Sequence, residues 1–153
     1  RRILFDRAKL RPQAHVDELG STLADELLRP TRIYVKAVRE LMGAYRMRRV
    51  VKGMAHITGG GIVENLPRVL PPNVAADIDT RAWDPPPIFH LLQRLGKVSR
   101  EEMFRVFNMG IGYTIVVDPY FQDALIARLR TLGYPALPIG EIRRGRGEVR
   151  LVN

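Results

Sequence analysis

The chain has 153 residues and 17.4 kDa, with 46% hydrophobic and 27% charged residues, which is one ordinary domain's worth of chain with enough apolar material for a core and no composition for wholesale disorder. It carries 21 Arg and 4 Lys against 16 acidic residues, a formal charge of +9, and its Cys count of 0 excludes disulfides, iron–sulfur clusters, thiolate zinc sites and Cys nucleophiles. No apolar run approaches the roughly 18–20 residues of a membrane span, and the start Arg1-Arg2-Ile3-Leu4-Phe5 has neither Met nor a signal-peptide apolar core, so the expectation is a soluble, cytoplasmic protein that is a piece of something longer.

Residues 1–10 read as the end of a helix, broken at Arg11-Pro12-Gln13. Residues 21–28 are predicted as a short helix, capped by Ser21 or Thr22, with Leu23, Leu27 and Leu28 on one face and Pro30 as its stop. Residues 31–35 lean to β. Residues 35–46 put Val35, Val38, Leu41, Met42 and Tyr45 on one helical face. Residues 50–57 alternate as a strand, then meet Thr58-Gly59-Gly60-Gly61, a short helix over 62–66 and Pro67. A strand follows at 74–78. Trp83-Asp84-Pro85-Pro86-Pro87 is a stiff loop, and Pro87 suits the first turn of a helix over 88–95 closed by Gly96. Ser99 caps a helix over 100–107, with Glu102 at the capping-box position. Residues 110–118 form a strand. Pro119 opens a helix to Leu132, with Phe121, Leu125, Ile126 and Leu129 on one face and Gly133 as its stop. The last strands, 136–143 and 148–152, are joined by an Arg/Gly turn. Strands interleaved with helices indicate an α+β fold, one mixed β-sheet covered by α-helices.

The basic residues cluster at Arg46-Met47-Arg48-Arg49 and Arg143-Arg144-Gly145-Arg146. Charge runs are often plain solvated surface. No zinc-finger spacing and no aromatic-interleaved basic strand accompanies them, so a nucleic-acid-binding module is the rival reading and not the leading one. The glycine triplet is more informative. Consecutive glycines let backbone N–H groups approach an anion, and a following helix N-terminus adds donors. A tight turn needing positive φ would use the same residues. The loop matches neither the Walker phosphate loop nor the dinucleotide fingerprint. His56 lies two residues before the glycines, at a strand end, where it can serve proton transfer or simply structure. Asn65 and Arg68 follow within about a turn and could bind a phosphate or line a polar face. Asn108-Met109-Gly110-Ile111-Gly112 is a second glycine-spaced entry to a strand. No metal-binding His spacing, Ser/His/Asp arrangement or nucleophile elbow is present.

The joint pattern carries a resemblance. Thr31-Arg32-Ile33-Tyr34-Val35-Lys36, Met54-Ala55-His56-Ile57-Thr58-Gly59-Gly60-Gly61 and Glu64-Asn65-Leu66-Pro67-Arg68-Val69-Leu70-Pro71 resemble the C-terminal half of the phosphoribosylformylglycinamidine cyclo-ligase (aminoimidazole ribonucleotide synthetase) family. Pro87-Ile88-Phe89, Gly96-Lys97-Val98, Phe107-Asn108-Met109-Gly110-Ile111-Gly112 and Ile139-Gly140-Glu141-Ile142 continue the match over essentially the whole chain. Met109 and Tyr113 depart from it, standing where Cys and Met are common in the family.

The resemblance implies an ATP-dependent ring closure in purine biosynthesis. The formyl amide oxygen of formylglycinamidine ribonucleotide is activated as an iminophosphate, the amidine nitrogen attacks that carbon, and phosphate leaves. It implies a partly ferredoxin-like α+β domain spanning 1–153, an absent N-terminal domain that holds most of the ATP and Mg ligands, and a homodimer in the full enzyme. It implies His56 as an active-site residue, Thr58, Gly59, Gly60 and Gly61 as substrate or phosphate contacts, and Asn65, Arg68 and Asn108 as weaker binding candidates. The isolated domain is expected to be inactive. A related superfamily member, such as a formylglycinamidine synthetase or a selenophosphate synthetase, is the nearer alternative.

Overall fold

In the computed structural model, which describes residues 1–45 and 50–152, the chain opens with a π-helical turn over Arg2–Arg7 that buries Leu4. Strands β1 (His15–Val16) and β2 (Ser21–Thr22) then pair antiparallel. They are too short to leave an alternating pattern, and the sequence did not indicate them. In α1 (Leu23–Leu27) the Thr22 hydroxyl accepts from the Asp25 amide at 3.1 Å, as a cap should. Only Leu23 of the expected apolar face is buried; Leu27 and Leu28 are exposed, since a helix of little more than one turn cannot bury a whole stripe. The β expectation for 31–35 fails. That segment is the irregular approach to α2 (Val35–Ala44), which buries Ala37 and Leu41 and leaves Val35 and Met42 exposed. The far end expected for this helix, and the basic cluster at 46–49, lie outside the described residues.

Strand β3 (Val51–His56) leads through the glycine loop into α3 (Gly61–Asn65) and a 3-10 turn, Leu66–Val69. After β4 (Val74–Asp79), α4 (Pro87–Gly96) starts on Pro87 as predicted, but its left-handed cap is Lys97 with φ +49, and Gly96 is still helical. Gly96 answers a packing demand instead: a Cβ there would lie 2.7 Å from Ile3 Cδ1. Helix α5 (Arg100–Val106) is capped by Ser99, whose hydroxyl accepts from the Glu102 amide at 3.3 Å. Strand β5 (Tyr113–Val117), α6 (Gln122–Thr131), β6 (Gly140–Arg144) and β7 (Val149–Val152) complete the order.

The class is α+β with a mixed sheet, but the strands divide among three sheets instead of one. β1 pairs with β2, β3 pairs antiparallel with β5, and β4 is central in the order β6-β4-β7, antiparallel to β6 and parallel to β7. No ladder joins β3–β5 to β4 among the described residues, so the ferredoxin-like part does not extend to one continuous sheet. The last two strands do not form a hairpin. The turn between them crosses the start of β4, where the Gly145 amide donates to the Asn73 carbonyl at 3.2 Å.

Two apolar cores grip the β3–β5 ribbon. Ala55, Ile57 and Val116 face the larger one, which also holds Leu4, Ile62, Ile78, Leu91, Met103 and Phe104. Alternate residues Ile115 and Val117 face the smaller one, built on Leu41, Val50 and Leu125 from α2, the start of β3 and α6. A fully buried Leu contributes about 1.5–3 kcal/mol, so these few side chains suffice to fasten α2 and α6 to the ribbon. The smaller core sits at the Val51–Val117 end of the ribbon, and His56 and Tyr113 pair at the other end.

Candidate functional site

β3 ends at His56 and the chain turns at once: the Gly61 amide donates to the Thr58 carbonyl at 3.1 Å. Gly60 and Gly61 have φ of +91° and +55°, the left-handed region that favours glycine. A Cβ on Gly61 would collide with the Phe104 carbonyl oxygen and lie 2.7 Å from that of Phe107; on Gly60 it would lie 2.9 Å from Glu64 Cβ. Gly59 differs. A Cβ there would point into open space. The fold itself therefore requires Gly60 and Gly61, whereas Gly59 is left for what lies outside the loop. No backbone carbonyl among the described residues accepts from the Gly59 or Gly60 amide.

Asn65 is 4% exposed, and its Nδ2 donates to the Gly59 carbonyl at 3.0 Å and to the Gly61 carbonyl at 2.7 Å. Its side-chain donors thus fasten the loop from within. Because α3 has only five residues, the loop's capacity for an anion rests on its own amides more than on a helix dipole. Arg68 is exposed on the following 3-10 turn, which packs on β3 at Gly53, where Val69 O would lie 3.5 Å from an added Cβ. The structure does not bring Arg68 onto the glycine loop. Thr58 is exposed at its start.

The second glycine segment lies alongside. The Asn108 Oδ1 accepts from the Gly110 amide at 3.1 Å, Trp83 Nε1 donates to the Met109 carbonyl at 2.9 Å, and the Ile57 amide donates to the Gly112 carbonyl at 2.9 Å. Met109, the departure from the family pattern, is buried at 3% with φ +50°. Asn108 shapes its own loop, and that loop walls one side of the Gly59–Gly61 turn through Phe107.

His56 is exposed and lies among aromatic rings that the sequence did not connect to it. Its ring centroid is 5.8 Å from Tyr34, edge-on at 63°, and 6.1 Å from Tyr113. Tyr34 is 5.0 Å from Tyr113 and 6.5 Å from Tyr134, whose hydroxyl donates to the Ile33 carbonyl at 2.9 Å. Burial pushes the Tyr34 phenol above its usual range, against a smaller opposing pull from Arg32. Tyr113 stands directly opposite His56 in the β3–β5 register, so the pairing of those two strands would have revealed it. Tyr34 comes from a distant helix start and had no local signal.

A separate open cleft of about 470 Å³ lies between α3, α5 and β7, with Val63, Phe104 and Leu151 in its lining. Arg100 Nη2 donates to the Thr80 hydroxyl there at 2.6 Å. None of the residues singled out in the sequence lines it. Among the described residues no group of three or more His, Asp or Glu could hold a metal ion, and no helix is long and apolar enough to cross a membrane.

Comparison with known proteins gives this geometry a family. The chain is 47% identical over 147 residues to the phosphoribosylformylglycinamidine cyclo-ligase of Geobacillus sp. (strain WCH70), covering 96% of this chain and 41% of that protein. It is 49% identical over 145 residues to the enzyme of the same name from Thermodesulfovibrio yellowstonii, covering 95% of this chain and 41% of that one. Against that of Syntrophus aciditrophicus it is 42% identical over 153 residues, 100% of this chain and 43% of the relative. The chain thus spans less than half the length of these curated relatives. Residues 3–153 match the family described as AIR synthase related protein, C-terminal domain, and the chain belongs to that family.

Proposed function

We propose that residues 1–153 form the C-terminal, substrate-cleft domain of an ATP-dependent cyclo-ligase that closes the imidazole ring of formylglycinamidine ribonucleotide to give aminoimidazole ribonucleotide. The observation that carries this reading is the placement of an exposed His56 at the end of β3, directly before a loop whose Gly59 is glycine at a position where the fold would admit a Cβ. The match to the cyclo-ligases over the whole chain supports it. The partners are an N-terminal domain, the ribonucleotide and ATP; the full enzyme is a cytoplasmic homodimer, and the domain alone does not turn over.

In this reading His56 hydrogen-bonds the reacting amide or moves a proton at its imidazole nitrogens. The Gly59 and Gly60 amides and the Thr58 hydroxyl approach phosphate oxygens, and Asn65 keeps those amides in place. Asn108 supports them from the neighbouring loop, and Arg68 is a more distant cation. ATP, when bound, supplies the phosphoryl group that activates the formyl oxygen. Magnesium would be held mainly by the N-terminal domain and would serve the ATP phosphates there.

The test joins this domain to its N-terminal half and measures ADP release with the amidine substrate. His56→Ala should cut turnover by about 100-fold, a typical loss for a proton-transfer group, with the melting temperature unchanged. Gly59→Ala should also leave stability unchanged while raising KM. Wild-type rates in His56→Ala would sink the assignment of His56, and ADP release indifferent to the amidine would sink the proposed reaction.

A further inference from the structure

We propose that Tyr34 is a positioning residue for His56: its ring, admitted by the missing side chain of Gly112, fixes the imidazole at the mouth of the glycine loop. This rests on the reading of His56 as a reacting side chain and extends it to a residue on another element.

Tyr34 occupies the N-cap position of α2 yet makes no side-chain cap hydrogen bond. Ser, Thr, Asp or Asn would serve the helix better there, so helix formation does not account for a tyrosine. Its ring turns instead onto the end of the β3–β5 ribbon. Gly112 makes room for it. A Cβ on Gly112 would collide with the Tyr34 hydroxyl and lie 3.1 Å from its Cζ, and the three nearest atoms it would meet belong to Tyr34. Gly112 is not among the glycines with positive φ, so its backbone conformation does not demand glycine. The seat and the imidazole share one ladder, because the Gly112 carbonyl accepts from Ile57, the residue after His56.

Tyr34 is held from several sides. Tyr113 packs at 5.0 Å, Tyr134 at 6.5 Å, and the Tyr134 hydroxyl anchors the Ile33 carbonyl just before it. His56, exposed to solvent, has the edge-on Tyr34 ring at 5.8 Å and Tyr113 at 6.1 Å as its walls. An exposed side chain on a strand end would otherwise sample several rotamers. Two fixed rings select among them, which is how a reacting group is held near its productive geometry. The burial that disfavours the Tyr34 phenolate keeps this wall neutral in the working pH range.

The experiment compares Tyr34→Leu, Gly112→Ala and Tyr34→Phe. The first removes the ring, the second expels it from its seat, and the third keeps it. One readout is the imidazole proton and carbon resonances of His56 in this chain; the other is kcat and KM in the two-domain enzyme. Tyr34→Leu and Gly112→Ala should both displace the His56 resonances and lower kcat by about 10- to 100-fold, as expected for misplacement of a reacting group, with KM nearly unchanged. Tyr34→Phe should restore both readouts. If Tyr34→Leu does not fold, Gly112→Ala reports alone. Unmoved His56 resonances would overturn the positioning role whatever the turnover, and so would a rise in KM at constant kcat. Wild-type turnover in His56→Ala would instead overturn the reading beneath it, while the resonance shifts would still report the Tyr34–His56 coupling.

Discussion

The β3–β5 ribbon and the β6-β4-β7 sheet solve the same problem in opposite ways. The ribbon carries apolar cover on both faces, and its candidate residue His56 is exposed at its end, among uncharged rings. In the sheet, Ala76 and Ile78 join the larger core on one face and Ala75 is buried on the other, so its open side is confined to the rim, where β6 is wholly exposed. Its open side is laced by charge pairs two residues apart along the chain: Asp79 with Arg81, Glu141 with Arg143, Glu148 with Arg150. Glu141 and Arg143 share one face of β6, whereas Arg81 follows the end of β4 and Glu148 precedes β7. Exposed pairs of this kind add little stability; they keep an exposed edge such as β6 from pairing with other chains. Each pair is neutral, so these arginines add nothing to the net charge, and the candidate chemistry sits elsewhere.

The largest way to break this contrast is Gly61→Ala. A methyl group driven into the Phe104 carbonyl at a positive φ should cost about 3 kcal/mol, from overpacking and backbone strain together, read by denaturant unfolding. A cost below about 0.5 kcal/mol would show that the loop yields freely and is not seated on α5. Asn65→Ala should come next, at about 1–3 kcal/mol, because two loop carbonyls lose a buried donor; the loop amides should then exchange faster with solvent. The charge pairs should matter least. Arg81 and Arg150 hold the carboxyls of Asp79 and Glu148 below their usual range through hydrogen bonds. A carboxyl whose folded pKa is depressed contributes stability that is fully present above its unfolded pKa of about 4 and is lost as pH falls through the folded value. Arg150→Gln should accordingly soften the acid limb of the unfolding curve below about pH 4 and leave stability at neutral pH nearly unchanged. A large loss at neutral pH would mean that Arg150 supports the sheet by packing, beside Asp77 at 3.9 Å.

Local signals were legible and distant ones were not. The caps at Thr22 and Ser99 act on the amides three residues ahead, so a short window contained the whole interaction. The strand into Thr58-Gly59-Gly60-Gly61 was legible for the same reason. Sequence could not say that the fold forbids a side chain at Gly60 and Gly61 but admits one at Gly59, because the difference lies in Phe104 and Glu64 being near two of them. The resemblance offered Asn65 as a weaker binding candidate or as a fastener of the loop, and its amide donates to two glycine carbonyls of that loop. The final turn, Arg143-Arg144-Gly145-Arg146, looks like a connection between neighbouring strands. In fact β4 lies between them, and only the pairing of Ala76 with both Ile142 and Val149 reveals it. Tyr34 shows the limit most clearly: a β-leaning tyrosine became the irregular start of a helix, held by rings far along the chain.

A ribbon gripped on both faces opens rarely, since local unfolding starts where apolar cover is thin. β3 and β5 are therefore the still part of the molecule, and the wholly exposed β6 is the restless one. His56 stands on the still part. In the proposed reaction, motion that brings the reacting groups together would then fall to the incoming molecule, with this ribbon serving as the anvil.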